Sequence, residues 1–364
     1  MSFSIHCAPA KFVLEQNPNI GEMQLFKTSD LCKVAINTLK YIAHNSDGNN
    51  ENTVPPPMAL LVKSDITEKL VKNTLEFICN TYRDDVRNKQ HSRLQDSQFL
   101  QENFHFYRWH ADTDKAGEIA LKSTNQVKNG LLTNIPDKQL FITKYYTKLL
   151  TASSVNTPEF NQALYALPFD EANLTLVEAD SQKSQLTRFK YTRQQIMQGV
   201  LTQKKLAKPL IWLTEADLHD VLLQGTGVLN VDGKTRYFNV HRNNGISYNY
   251  SIGKAAQGRY WYFAEVPSIM GYGTEIGNKI EVKPQVTFAG NIDQLGLGKL
   301  IMINYLNNGR SVSQMGVLAD TGGAFDDNLF QLDFLTDSYY GWDDYHQANK
   351  HLPDYAKTWI MIKK

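Results

Sequence analysis

Asp320-Thr321-Gly322-Gly323 is the stretch of this chain best suited to chemistry. An apolar run from Met315 to Ala319 leads into Asp320, and two glycines follow. One carboxylate is thereby delivered to a turn almost free of side chains. A carboxyl that is dry on one side and open on the other is a candidate acid, because desolvation favours its neutral form. Asp and Gly also dominate ordinary turns, and the stretch taken alone favours that plainer reading. Asp333 likewise interrupts an apolar segment, Leu329 to Leu335, whereas Asp326, Asp327, Asp337, Asp343 and Asp344 read as surface turn residues. Asp-Thr-Gly also occurs in aspartic proteases, whose chemistry needs two such carboxylates sharing a proton. With one Asp-Thr-Gly, a protease would have to be a homodimer of unusually large halves.

The elements that must position these groups are legible in outline. The 364 residues, 42% hydrophobic and 21% charged, describe a globular chain with ample core in one large domain or two. Lys+Arg at 38 against Asp+Glu at 37 gives a net charge of +1, and no basic stripe points to nucleic acid or a membrane surface. The 9 histidines are scattered without ligand spacing, so no metal is expected, and no cofactor motif is present. Of the 3 cysteines, Cys32 and Cys79 sit in apolar helical patterns and read as small core residues; an odd number cannot all pair within one chain. No window is apolar enough to span a bilayer, and the first residues show neither a charged n-region nor an apolar h-region, so no signal peptide or lipobox is visible.

The first third reads as helical. Ser29 caps a segment carrying Leu31, Val34, Ala35, Leu39 and Ile42, and a polar loop follows from Asn45 to Pro57. A second helix begins near Ser64 with Ile66, Leu70, Val71, Leu75, Ile78 and Tyr82 on one face. A third helix is expected to carry Phe99, Leu100, Phe104 and Tyr107. From Lys138 the pattern turns to strands, with short helices starting at Thr192 and Thr214. From Val221 onward short strands alternate with glycine turns up to a last strand at Thr358 to Ile362.

Aromatics make up 11% of the chain and cluster at Tyr260-Trp261-Tyr262-Phe263 and Tyr339-Tyr340-Gly341-Trp342; those bordering a groove would suit stacking on sugar rings. A set of motifs in one order then narrows the reading. Ile142-Thr143-Lys144-Tyr145-Tyr146-Thr147 resembles the Thr-Gly-Tyr-Tyr motif of membrane-bound lytic transglycosylase A, the MltA family. Ala163 to Pro168 resembles its proline-flanked segment, and Thr192-Arg193-Gln194-Gln195-Ile196 its helix start. Leu223-Gln224-Gly225-Thr226-Gly227 is similar to its Gln-Gly-Ser-Gly, and Asn244-Gly245 through Ser251-Ile252-Gly253-Lys254 to its Asn-Gly…Ser-Ile-Gly-Lys. Asp320-Thr321-Gly322-Gly323-Ala324 matches its C-terminal catalytic segment. Each is weak alone, but together they are specific from about Leu140 onward. In departure from the family, Lys144 replaces Gly, Lys148 replaces Pro, and Phe325-Asp326-Asp327 replaces Ile-Lys-Gly.

The resemblance implies a mainly β fold: a double-psi β-barrel catalytic domain completed by N-terminal helices, a smaller inserted β-barrel domain, and a groove between them. The implied spans are 1–137 for the helical part, 138–254 for the insert and 255–364 for the catalytic barrel. The implied activity is peptidoglycan lytic transglycosylation, in which the muramic acid C6 hydroxyl attacks its own C1 and leaves a 1,6-anhydro end. One carboxylate, Asp320, then suffices as acid and afterwards as base, because the nucleophile belongs to the substrate. Starting protonated requires raising a carboxyl pKa of about 3.9, at about 1.4 kcal/mol per unit. Asp333 matches a second family carboxylate, while Thr143, Tyr145, Gln224, Gly225 and Thr226 match groove positions. For Asp333 a structural turn role is equally open, and for Gly225 and Gly227 a tight turn is compatible with the groove role. The resemblance further implies a monomer acting on glycan strands in the periplasm or at the outer membrane, with cell-wall synthesis or division proteins as partners to consider. A non-catalytic peptidoglycan-binding scaffold on the same fold is the alternative.

Overall fold

The computed structural model describes residues 8–46, 66–249 and 251–364. Most of the expected polar loop from Asn45 to Pro57, the helix start near Ser64, and Cys7 and Tyr250 lie outside the described residues. In chain order the strands are β1 (Lys11–Glu15), β2 (Glu22–Met23), β3 (Phe104–His110), β4 (Leu140–Ala152), β5 (Gln162–Pro168), β6 (Ala207–Leu213) and β7 (Thr226–Val231). There follow β8 (Lys234–Asn243), β9 (Trp261–Val266), β10 (Thr287–Ala289), β11 (Leu300–Asn307), β12 (Arg310–Asp320), β13 (Gln331–Tyr339) and β14 (Tyr355–Lys363). Packing divides the chain into two compact units, one of residues 1–145, 280–337 and 346–364, the other of residues 146–279 and 338–345.

In the first unit, β14, β11, β12, β10, β13 and β4 lie side by side in that order. The first residues of β4 pair back onto β14 through Phe141↔Tyr355 and Leu140↔Ala356, closing a barrel. Closure removes the free edges that an open sheet of this length would present. Strands β11 and β12 are buried on both faces over most of their length, which is why they read as nearly continuous apolar runs. Gly316 on β12 is required by packing: a Cβ there would lie 2.8 Å from the Val286 backbone and 3.0 Å from the Phe288 ring. Strand β10 can therefore run close beside β12, parallel to it and antiparallel to β13.

Two helices, α1 (Thr28–Ser46) and α2 (Glu68–Arg87), pack on each other and against the barrel strands β12 and β14. Their stripes Leu31, Val34, Ala35 and Val71, Leu75, Ile78 are buried, as 3.6-residue periodicity predicts. The α2 start is capped by the Thr67 hydroxyl, which accepts from the Leu70 amide. Cys32 and Cys79 are buried core residues, but they also join α1 to α2 as a disulfide, with Cα atoms 4.7 Å apart. Helical periodicity places each cysteine on a buried face without showing that the two faces meet. The expected third helix is shorter than predicted. It ends at Asn103, and Phe104 and Tyr107 belong to β3, which pairs with β1 and β14. The run Phe-His-Phe-Tyr-Arg-Trp-His is aromatic and alternates in burial, so strand pairing overrides the helical spacing.

In the second unit, the latter part of β4 runs parallel to β7, and β7, β8 and β9 form an antiparallel meander. A separate ribbon, β5–β6, completes it around a core that includes Leu164, Ile211, Leu229, Phe238, Tyr260 and Tyr262. The spans 138–254 and 255–364 expected from the sequence differ from this division. The ladder from Tyr237↔Val266 to Asn243↔Trp261 draws β9 into the second unit, and β4 belongs to the first unit up to Tyr145. Glu171, fully buried, accepts from Arg188 Nε at 2.7 Å and from Arg242 Nη1 at 3.0 Å. Each arginine also reaches a more exposed carboxylate, Arg188 that of Asp180 at 3.7 Å and Arg242 that of Glu275 at 3.1 Å, so Glu171 shares the two shielded cations with them. Among the described residues no helix is long and apolar enough to cross a membrane.

Removing one partner of a buried ion pair strands the other charge, which costs about 3–5 kcal/mol. Glu171→Ala is therefore expected to lower unfolding stability by that order in denaturant melts. A loss under about 1 kcal/mol would show that the arginines are solvated instead.

Candidate active site

Strand register sets the carboxylates. Ala289 on β10 pairs with Asp320 at the end of β12 and also with Asp333 on β13. The β10–β12 ladder shifts by one residue between Phe288↔Leu318 and Ala289↔Asp320, and this bulge brings Asp320 opposite Ala289, with Asp333 opposite it on the other side. Ala289 is small and buried, and it leaves room between them. Gly290, the next residue, donates its amide to the Asp320 carbonyl at 3.2 Å and accepts from the Thr321 hydroxyl at 2.8 Å.

The Asp320 side chain is held at both oxygens. Tyr145 donates its hydroxyl to Oδ2 at 2.9 Å, and the Thr321 amide donates to Oδ1 at 2.9 Å. Together the two donors fix the plane of the carboxyl group. Burial, and next the charges of Asp320 and Asp333, push the Tyr145 hydroxyl well above its ordinary range, so it stays a neutral donor. Asp333 differs. Burial, opposed by the Thr143 hydroxyl and reinforced by Asp320, raises its pKa to about 7. Its Oδ1 is shielded and makes no hydrogen bond. Thr143 donates to the Leu332 carbonyl at 3.2 Å and accepts from Gln331 at 2.7 Å, which anchors β4 beside this pair. Gln331 is a supporting residue that motif reading did not single out.

Beyond Asp320 the turn is open: a Cβ built at Gly322 or Gly323 meets nothing within 4 Å. The unusual continuation is firmly held. Phe325 is buried, and Asp327 bonds Lys115 at 2.5 Å and Gln294 at 3.4 Å. Lys144 is likewise accommodated, its ammonium 3.0 Å from Asp354.

The structure thus brings Thr143, Tyr145, Asp320 and Asp333 together in the first unit, on strands whose pairing fixes their order. Two comparisons bear on what such a site belongs to. Residues 141–265 match the family model described as the MltA specific insert domain. Among solved structures, a membrane-bound lytic murein transglycosylase from Agrobacterium tumefaciens aligns at TM-score 0.54 and 16% identity over 92% of each chain. Over residues 141–265 the chain is similar to the MltA insert. E. coli MltA with bound chitohexaose aligns at TM-score 0.53 and 14% identity, over 99% of this chain and 97% of that one. MltA from Neisseria gonorrhoeae aligns at 0.56 and 12%, over 99% and 92%. At these identities the likeness is one of fold: a double-psi barrel with an inserted domain, mainly β. No curated protein sequence matches.

The remaining MltA-like positions lie in the second unit, where Gln224, Gly225 and Thr226 end the helix Glu215–Gln224 and begin β7. Gly225 adopts φ +77° as the helix cap, a left-handed turn that favours glycine. Thr226 is buried and accepts from Asn239 at 2.9 Å, and Gln224 accepts from the Lys148 amide at 3.2 Å. Lys148 and Lys254 both bond Asp220, so the lysine that replaces the family's proline has a counterion. Of the aromatic clusters, Tyr260 and Tyr262 are core, whereas Tyr340 and Trp342 are exposed.

The Asp333 carboxyl holds its proton more tightly folded than unfolded, from about 3.8 up to about 7. Its contribution to stability is present at acid pH and is lost as pH rises through 7. Thermal melts across pH 4 to 8 are expected to show this decline and Asp333→Asn to flatten it. Parallel curves for the two proteins would place Asp333 in water.

Proposed function

We propose that this chain is a peptidoglycan lytic transglycosylase, with Asp320 as its only acid/base. The observation that carries the reading is the Asp320 carboxylate, gripped by Tyr145 and Thr321 at the lip of an open glycine turn. The chain has the fold of solved MltA structures, and residues 141–265 match the MltA specific insert domain. One carboxylate at an accessible turn suits a reaction whose nucleophile is supplied by the substrate.

In the proposed step Asp320 gives its proton to the glycosidic oxygen of the departing N-acetylglucosamine, and the bond from that oxygen to muramic acid C1 breaks. The C6 hydroxyl oxygen of the same muramic acid bonds to C1, and its proton passes to the Asp320 carboxylate. No water is consumed, and the acid is regenerated. A glycan covering the turn would exclude water and favour the protonated start, while Tyr145 and Thr321 stabilise the carboxylate that forms. Asp333, whose carboxyl burial pushes up to about 7, is assigned an orienting role with Thr143. Gln224, Gly225 and Thr226 are proposed as groove positions on the insert. The same reading places the protein in the bacterial envelope as a monomer on glycan strands. The disulfide between Cys32 and Cys79 is in keeping with an oxidising compartment.

Digestion of purified sacculi is expected to release muropeptides ending in 1,6-anhydromuramic acid, and Asp320→Asn to abolish release with the fold intact. Products heavier by one water would convert the reading to a hydrolase. Binding to sacculi with no product at all would leave a scaffold. Tyr145→Phe removes one donor and is expected to lower turnover about 100-fold with little change in melting temperature. An unchanged rate would remove Tyr145 from the machinery.

A further inference from the structure

The second unit contains a cavity of about 190 Å³ lined by none of the residues around Asp320. It lies against the β5–β6 ribbon and the helices Arg193–Met197 and Val200–Gln203. Its buried wall is Ala163, Ile196, Leu218 and Tyr260, all part of the core of this unit. Its exposed side carries the amides of Asn156, Asn161 and Gln203. Half-buried Trp212 lines it as well, fixed by backbone pairing to both Ser153 and Ala163.

Three features define what such a cavity accepts. No carboxylate, amine, guanidinium or imidazole lines it, and its two phenols, Tyr165 and Tyr260, are pushed above their ordinary range by burial. A charged ligand would enter without a counterion, which is costly, so peptide stems and phosphates are disfavoured. The amides supply donors and acceptors together, the pattern that an acetamido group and hydroxyls require. Asn161 donates to the Pro158 carbonyl at 3.1 Å and accepts from the Gln162 amide at 3.2 Å, and Gln203 donates to the Gln198 carbonyl at 3.1 Å, so these amides are held in place, each with a further N–H to offer. Trp212 adds a flat apolar face with a hydrogen-bond donor. At about 190 Å³ the cavity is below the roughly 300–1,000 Å³ of pockets that hold drug-sized ligands, so it suits one ring rather than an extended chain. Gly199, at φ +89°, keeps the opening clear: a Cβ there would come within 3.3 Å of the Gln203 amide.

We propose that this cavity binds a single uncharged N-acetylhexosamine unit, giving the insert unit a sugar site separate from the acid. The source of the sugar, a peptidoglycan strand, rests on the proposed function; the binding itself does not.

The test uses the full chain carrying Asp320→Asn, labelled with nitrogen-15 and titrated with chitotriose. The Trp212 indole N–H is identified by its loss in Trp212→Phe. A saturable shift of that signal is expected, weakened at least tenfold by Asn161→Ala combined with Gln203→Ala, two exposed positions. Cellotriose, which lacks acetamido groups, is expected to bind at least tenfold more weakly. An unmoved Trp212 signal at high chitotriose, or equal binding of cellotriose, overturns the proposal. Anhydro products from the wild type with an unmoved Trp212 reject the cavity alone. A moved Trp212 without anhydro products rejects the lytic reaction alone.

Discussion

The candidate site depends on the pairing of a three-residue strand with a neighbour on each side. Ala289 stands opposite Asp320 in a parallel pair and opposite Asp333 in an antiparallel one. The β10–β12 ladder is shifted by one residue at this point, and without that bulge Ala289 would face Ala319 instead of the carboxylate. Gly316 protects that register, because any larger residue would push β10 away from β12. The two carboxylates then acquire different characters from their surroundings. Asp320 meets two hydrogen-bond donors, while Asp333 meets an apolar interior with one oxygen unpaired. Similar groups with unlike environments are how a protein separates a residue that exchanges protons from one that keeps its proton.

Local signals in the sequence are faithful where the neighbours they imply are also local. The caps at Thr192 and Thr214, the stripes of α1 and α2, and the strand character from Leu140 onward are all present. The ordered motifs mark out Thr143, Tyr145, Asp320 and Asp333, because each occupies a strand or turn whose chemistry shows in its own residues. What escapes is contact at long range. The end of the third helix at Asn103 is decided by β1 and β14, distant in sequence from Phe104. The meeting of Cys32 with Cys79 depends on two helices docking, and Gln331 gains its role only because β13 lies beside Thr143. The cavity of the second unit is invisible for the same reason. Its amides and Trp212 are ordinary residues until β5, β6 and two short helices bring them together.

The closing strand of the barrel has a consequence for timing. Strand β14 lies between β3 and β11 and also takes β4, and its Tyr355 hydroxyl bonds the Leu131 carbonyl across a separation of 224 residues. Contacts so distant along the chain form slowly, because loop closure must precede any gain from pairing. Without β14, β4 lacks one of its two barrel neighbours, and Tyr145 stands on β4. A substitution that weakens the β14–β4 pairing would therefore reach the acid without touching it.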